Sequence, residues 1–331
     1  MLINLHPEPA DMARLVIEGM ERRPRQLPAW LLYDREGSRL FEAICRQPEY
    51  SLTRTETDLL EHRAGQIAAA LNSISSPKTA GNTAVIVEFG SGTARKVAPL
   101  LDAVHPRGYV ALDISATDLA DACRTLQESL PELPILGICC DYSGLKELPT
   151  HPLLSGSHRL GFYPGSSLGN FEPGAARELL EQFAQLLGPD GQLLVGIDQP
   201  KAVERLEAAY NDRAGCSAAF ALNLLQRLNR DLNGTFDPGD FHYEAWWECE
   251  RSRIAMALVS RREHEVRLAG RLWPFRRGEL LITEYSYKYS PQMFVDLARS
   301  AGWTARARWS DARGDLSLHL LGQADSGNGR N

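Results

Sequence analysis

Two glycines one residue apart, at the end of an apolar run, form the spacing in this chain best suited to chemistry. Val85-Ile86-Val87-Glu88-Phe89-Gly90-Ser91-Gly92-Thr93 predicts a buried parallel strand that ends in a tight turn, with a helix starting near Ala94. Glycine lacks a Cβ, so a cofactor can lie against bare backbone at Gly90 and Gly92. A dinucleotide fingerprint needs a third small residue at position 95, and this chain has Arg95 followed by Lys96. That departure, with the acid before the first glycine, points to S-adenosylmethionine (SAM) rather than a nicotinamide cofactor. The next predicted strand, Tyr109–Leu112, ends in Asp113, where a strand-end carboxylate binds ribose hydroxyls in doubly wound folds.

Four further places carry polar groups in suggestive positions. Lys96 lies one turn into the predicted helix, where a cation and a helix N-terminus both attract the SAM carboxylate. Asp141, followed by Tyr142, ends the predicted third strand and could hold the adenine amino group. Gly165-Ser166-Ser167-Leu168-Gly169-Asn170-Phe171 follows the fourth strand, at the sheet edge where such folds bind ligands. Asn170 there is both donor and acceptor, which suits an amino acid. Along Thr283-Glu284-Tyr285-Ser286-Tyr287-Lys288, strand alternation puts Glu284, Ser286 and Lys288 on one face. A carboxylate and a hydroxyl two residues apart could bind the two nitrogens of an imidazole. Each place also has a plainer reading: a surface lysine, a turn aspartate, a turn asparagine, a solvated strand face.

The elements that must position these groups follow a βα rhythm from about residue 65 to 200, the mark of a parallel sheet with helices on both faces. Predicted strands are Ala84–Phe89, Tyr109–Leu112, Ile135–Ile138, Arg159–Tyr163 and Gln192–Ile197, with helices Ala94–Val104, Ala116–Ser129 and Gly174–Leu187 between them. Pro99 kinks the first helix or delays its start. After Asp198 the pattern changes. Helices Ala202–Tyr210 and Ser217–Leu232 precede alternating segments around Trp246-Trp247, Ile254–Ser260, Glu265–Leu272 and Leu280–Tyr285, suited to an antiparallel sheet. A helix at Pro291–Ala301 and strands Thr304–Trp309 and Leu316–Leu321 then resume the first fold. The first 60 or so residues lack the βα rhythm and are expected to pack with the inserted module. Ser73–Asn82 and Pro149–Ser157 read as loops, and Ala324–Asn331 as a disordered tail.

Composition narrows the function classes. The chain has 331 residues, 44% hydrophobic and 24% charged, with a formal net charge of −6, an ordinary globular balance without the basic excess of a nucleic-acid binder. No apolar run approaches the ~18 residues of a membrane span, and no signal peptide is visible. The six cysteines form no C-x-x-C pair and read as reduced, buried thiols of a cytoplasmic protein. The eight histidines show no ligand spacing, so no metal site is expected.

Several motifs together, in order, resemble the SAM-dependent L-histidine Nα-methyltransferase family of ergothioneine biosynthesis. They are Tyr33-Asp34-Arg35-Glu36-Gly37-Ser38, Pro48-Glu49-Tyr50 with Thr53-Arg54-Thr55-Glu56, Glu88 to Thr93, Gly165 to Asn170, Ala209-Tyr210-Asn211-Asp212 and Thr283-Glu284-Tyr285-Ser286. The likeness runs from Leu27 to about Leu321 and departs from the family pattern at Ser51-Leu52. It implies trimethylation of the histidine α-amine to hercynine, with S-adenosylhomocysteine (SAH) as the other product. It implies that Tyr50, Asn170 and Tyr210 bind the α-carboxylate and amine, that Tyr33 sits near the amine as the catalytic candidate, and that Gly165 belongs to the substrate site. Glu284 and Ser286 then hold the imidazole, Met256 lines its pocket, and Gly90, Gly92, Lys96, Asp113, Asp141 and Tyr142 bind SAM. The implied architecture is α/β. A Rossmann-like class I methyltransferase core, a doubly wound sheet, spans 61–198 plus 287–323, and an α+β substrate domain spans 1–60 plus 199–286. A monomer acting on free histidine, without nucleic acid or membrane, is expected.

Competing expectations are a methyltransferase of the same fold acting on another amino acid such as tryptophan, a nicotinamide-dependent oxidoreductase, and a non-catalytic SAM-binding protein. The paired Glu284 and Ser286 favour histidine, Arg95 argues against the oxidoreductase, and the full set of amino-acid ligands argues against a binder without activity.

Overall fold

The computed structural model describes residues 1–5, 9–74 and 84–323. The tail expected at 324–331 lies outside the described residues. So does the loop expected at Ser73–Asn82, except for its first two positions, which continue the Leu52–Ile74 helix. The chain divides into two compact units, one made of Met1–His6, Leu52–Pro200 and Lys288–Asn331, the other of Pro7–Ser51 and Lys201–Tyr287. These bounds differ from the expected ones: Leu2–Asn4 and the whole Leu52–Ile74 helix fall in the first unit.

The first unit is built on an eight-stranded sheet. Its order is Leu2–Asn4, Ile135–Cys139, Gly108–Asp113, Ala84–Phe89, His158–Tyr163, Gln192–Asp198, Leu316–Gln323, Trp303–Ser310. Neighbours as far as Gln192–Asp198 pair in parallel. Leu316–Gln323 runs antiparallel to both of its neighbours. The central strands are buried along nearly their whole length, as continuous Val/Ile/Leu runs require when helices cover both faces.

Right-handed crossovers put the helices Ala98–Val104 and Ala116–Ser129 on one face and Pro173–Leu187 on the other. The chain reverses its direction of travel between the adjacent strands Ala84–Phe89 and His158–Tyr163. Ligands of open α/β sheets bind outside the carboxyl ends of strands at such a reversal. The loops leaving these two strands are the ones that carry Gly90–Gly92 and Gly165–Asn170.

The second unit has a four-stranded sheet in the order Arg25–Gln26, Leu280–Tyr287, Arg253–Ser260, Phe241–Glu248. Helix Cys216–Leu232 packs on Phe241–Glu248 and on helix Arg35–Cys45. Asp212 starts the Cys216–Leu232 helix by accepting from the amides of Cys216 (2.8 Å) and Ser217 (2.7 Å), as an acidic cap does for orphan helix donors. Asp34 does the same for the Gly37 amide at 2.8 Å in helix Arg35–Cys45, and Asn223 Nδ2 donates to it at 2.7 Å.

Three sequence expectations are corrected. Glu265–Leu272 is not one strand but most of a hairpin, His264–Leu268 and Arg271–Phe275, turning at Ala269 (φ 49°) and Gly270 (φ 74°). The helix after the glycine turn starts at Ala98, with Pro99 in its first turn. None of the six cysteines is in a disulfide, but only Cys139 and Cys140 are buried, and Cys249 is exposed. Among the described residues no helix is long and apolar enough to cross a membrane.

Candidate active site

In the first unit the glycine turn folds back on the neighbouring strand. The amides of Gly90 and Ser91 donate to the Leu112 carbonyl at 2.8 and 3.0 Å. Gly90 and Gly92 have φ of 74° and 51°, the left-handed region that L side chains avoid. A Cβ on Gly92 would meet no atom within 4 Å, so this backbone is bare. Asp113 sets the turn: Oδ2 accepts from the Gly92 amide at 2.8 Å and Oδ1 from the Ser115 amide at 3.0 Å. Burial lifts the Asp113 carboxyl above its ordinary pKa, while the amides of Ser115, Gly92 and Ile114 pull it the other way.

Lys96 does not lie in a helix, because Ala94 turns left-handed (φ 53°) and the helix waits until Ala98. Lys96 therefore stands just before the helix N-terminus rather than one turn inside it. Its ammonium instead donates to Glu56 Oε2 at 2.7 Å. Asp141 caps the short turn Tyr142–Gly144, its Oδ1 accepting from the Ser143 amide (2.9 Å) and hydroxyl (2.6 Å). The Tyr142 hydroxyl pairs with that of Tyr163 at 3.3 Å and faces Gly90, whose Cβ would stand 3.5 Å from it. Burial pushes the Tyr142 phenol up. Gly165 (φ 80°) opens the next loop, and Asn170 ends its single turn, Ser167–Asn170.

In the second unit a run of aromatic rings links the other predicted residues. Tyr33 stands edge-on to Phe41 (5.6 Å) and Phe220 (5.4 Å). Phe41 meets Tyr50 at 6.3 Å, and Tyr50 meets Tyr210 at 5.9 Å. The Tyr210 and Ser286 hydroxyls are hydrogen-bonded at 2.8 Å. The Tyr243 hydroxyl donates to the Tyr210 carbonyl at 2.8 Å. Tyr243 is pushed well up by burial and by the nearby Glu284, Tyr210 and Asp212.

Glu284 and Ser286 are buried on one face of Leu280–Tyr287. Met256 is the cross-strand partner of Glu284, and Tyr210 packs on the apolar cluster of Leu206, Ile254 and Met256. The register slips between Ile282 and Glu284, a bulge that re-aims the side chains beyond it. On the opposite face Tyr285 and Tyr287 close on Arg253: its guanidinium lies 3.4 Å from the Tyr285 ring centroid and donates to the Tyr287 hydroxyl at 2.7 Å. That grip holds the strand from behind and leaves Glu284 and Ser286 to the other side. Lys288 does not join them. The strand ends at Tyr287, and Lys288 is fully buried against Asp198 at 2.8 Å in the first unit.

The model of the histidine-specific, SAM-dependent methyltransferase family matches residues 12–323. The chain belongs to this family. It is 34% identical over 316 residues to the histidine N-alpha-methyltransferase of Mycobacterium tuberculosis, covering 93% of this chain and 94% of that one. To its counterpart of the same name in Mycolicibacterium smegmatis it is 35% identical over 315 residues, with the same coverage. The ergothioneine biosynthesis protein 1 of Neurospora crassa is 32% identical over 97% of this chain, which spans 35% of that longer protein.

This histidine-specific methyltransferase uses SAM, and the first unit fits that group. The fold is α/β, a Rossmann-like, mainly parallel sheet with its direction of travel reversed between Ala84–Phe89 and His158–Tyr163. Beside the bare Gly90 and Gly92 backbone, Ser91 Oγ is buried with no hydrogen-bond partner among the described residues, and such a group is costly unless something answers it. Asp141 serves Ser143 through Oδ1, and a carboxylate has a second oxygen to offer a ligand. Phe41, Phe220 and Tyr243 escaped the sequence reading. Phe220 and Tyr243 lie on elements that carry no motif of their own, and Phe41 falls just past the end of the Tyr33–Ser38 motif on the same helix, so no spacing announces them.

Proposed function

We propose that this methyltransferase acts on the α-amine of free L-histidine three times, giving Nα,Nα,Nα-trimethylhistidine for ergothioneine biosynthesis. The observation that carries the reading is the buried Glu284 and Ser286 with the half-buried Tyr210 bonded to Ser286, and Met256 opposite Glu284. An imidazole offers one N–H and one lone pair. Glu284 accepts from the first, and Ser286, whose hydroxyl turns either way, donates to the second. An indole or phenyl ring cannot satisfy both, so it gains less from this pair of groups than an imidazole does.

The remaining roles come from the chemistry of the transfer. SAM supplies a methyl group on a sulfonium that is already activated, so the chain's work is alignment and proton removal. Orientation alone supplies several kcal/mol on effective-molarity grounds. An ammonium has no lone pair, so the amine must lose a proton before each transfer. Tyr33 is proposed to orient the amine and help that proton leave, as a positioned hydroxyl does. The tyrosine faces at 33, 50 and 210 attract the growing cation. Tyr50, Tyr210, Asn170 and Gly165 are proposed as amino-acid ligands. Gly90, Gly92, Lys96, Asp113, Asp141 and Tyr142 are proposed as cofactor ligands. On this reading the first unit is the SAM-binding domain and the second the substrate domain, and the enzyme works as a cytoplasmic monomer without nucleic-acid partners.

The test is to incubate the protein with SAM and L-histidine and follow histidine by mass spectrometry. Stepwise gain of one, two and three methyls is expected. Unmodified histidine alongside intact SAH binding would overturn the substrate while leaving the fold.

A further inference from the structure

The motif Thr53-Arg54-Thr55-Glu56 has no part in the roles proposed above, yet Glu56 is fully buried (0% exposed) near the start of the Leu52–Ile74 helix. A carboxylate taken out of water loses its hydration, and its partners must replace that. Glu56 Oε2 accepts from Lys96 Nζ at 2.7 Å, and both carboxylate oxygens lie 2.8 Å from the Gly165 amide nitrogen. Room for the carboxylate is made by Gly196, in the middle of strand Gln192–Asp198. A Cβ there would stand 1.8 Å from Glu56 Oε1. Three distant segments of the first unit thus converge on one acid.

The two donors are not ordinary neighbours. Lys96 belongs to the loop after Ala84–Phe89 and Gly165 to the loop after His158–Tyr163, the two loops at the reversal of the sheet. Lys96 is 22% exposed at its side chain, so it reaches the surface while its charge is balanced from below. It gives one N–H to Glu56 and keeps two for an anion above. Gly165 has a φ of 80°, and its amide can point at Glu56 only while the loop keeps that turn.

We propose that Glu56 is a positioning residue for methyl transfer, fixing the Lys96 ammonium and the Gly165 amide relative to each other so that both loops are set as one piece. The proposal rests on the reading that these loops serve the cofactor and the amino acid. Glu56 touches neither ligand and acts through Lys96 and Gly165.

The chemistry chooses the variant. Lys96 and Gly165 both donate, so they need acceptors. In Glu56→Gln one acceptor oxygen must serve both donors, while the NH2 group that replaces the other oxygen faces the Gly165 amide donor to donor and the charge opposite Lys96 is lost. Expected for a folded Glu56→Gln protein is a fall in kcat on the order of 10²-fold, as for a small misplacement of reacting groups. Weaker SAH binding and weaker histidine binding by isothermal titration calorimetry should accompany it. A role in stability alone would lower the melting temperature and leave kcat and both affinities unchanged, and that result overturns the proposal. If Glu56→Gln does not fold, Glu56→Asp gives the same comparison, because it keeps the charge and withdraws the carboxylate by one methylene. Lys96→Met and Asn170→Ala separate the two levels. If they lose SAH and histidine binding respectively while Glu56→Gln behaves as wild type, only the positioning role falls. If they change neither, the assignment of the loops fails and the proposal falls with it.

Discussion

The Tyr210 and Ser286 hydroxyls share a 2.8 Å hydrogen bond across two elements of the second unit, the end of helix Val203–Tyr210 and the strand Leu280–Tyr287. Either hydroxyl can be the donor in this bond, so Ser286 can turn to suit the tautomer of a ring nitrogen. With Glu284 it is proposed to discriminate histidine from other aromatic amino acids. Glu284→Ala should raise the histidine KM on the order of 10- to 100-fold and narrow the gap to tryptophan and phenylalanine. Steady-state kinetics across the three amino acids reads this directly, and an unchanged preference would remove Glu284 from the imidazole.

Asn170 ends the turn after the Gly165 loop. Its amide is suited to the amine and carboxylate that histidine shares with its mono- and dimethylated forms. Asn170→Ala is expected to weaken binding of all of these together, by about tenfold or more. Calorimetry with each ligand is the measurement, and unaffected binding would take Asn170 out of the site.

Gly92 separates cofactor contact from stability. An alanine there costs about 1–2 kcal/mol for its left-handed backbone, while its methyl would meet no protein atom within 4 Å. Gly92→Ala should therefore melt only a few degrees lower, yet lose SAH affinity by about tenfold or more if the cofactor lies against that backbone. Equal SAH affinity in the two proteins would place the cofactor elsewhere.

Glu88 makes the stability of the first unit depend on pH. It is 1% exposed and accepts from the Tyr109 hydroxyl at 2.5 Å. Burial raises its pKa from 4.5 to about 8, against the pull of Tyr109 and Lys96. The folded protein therefore holds a proton that the unfolded chain has released, so this group's contribution is fully present below pH 4.5 and is lost as pH rises to about 8. Glu88→Gln keeps the shape without the titration. Its melting temperature should fall less than that of wild type over this window; parallel profiles would show that Glu88 is ionised in the fold.

The sequence was most legible where one local rule decides. The Ala84–Phe89 strand combines a β-branched run with a glycine stop, and helix Ala116–Ser129 begins at a serine cap and has the same bounds in the structure. It was least legible where partners are remote or elements short. Leu2–Asn4 is three residues long, too few for any periodicity. The hairpin turn at Ala269-Gly270 hides inside an alternating run because alanine seldom takes its left-handed first position. Strict alternation put Lys288 on the face of Ser286 only because it was carried one residue past the end of the strand. Glu56 drew no role because Lys96 and Gly165 stand 40 and 109 positions away, beyond the reach of any spacing rule.

Asp198 is the last residue of strand Gln192–Asp198, just before the chain leaves the first unit, and Lys288 is the first residue after it returns. Their buried ion pair, together with the Tyr289 amide bonded to the Asp198 carbonyl at 3.2 Å, clasps the two ends of the excursion at its root. Closing a long loop costs entropy that grows only slowly with its length, and here the closure is made by groups that belong to the sheet itself. The stretch from Lys201 to Tyr287 is in this sense a cassette with a fixed socket. Both of its ends are thereby anchored in the sheet that it interrupts.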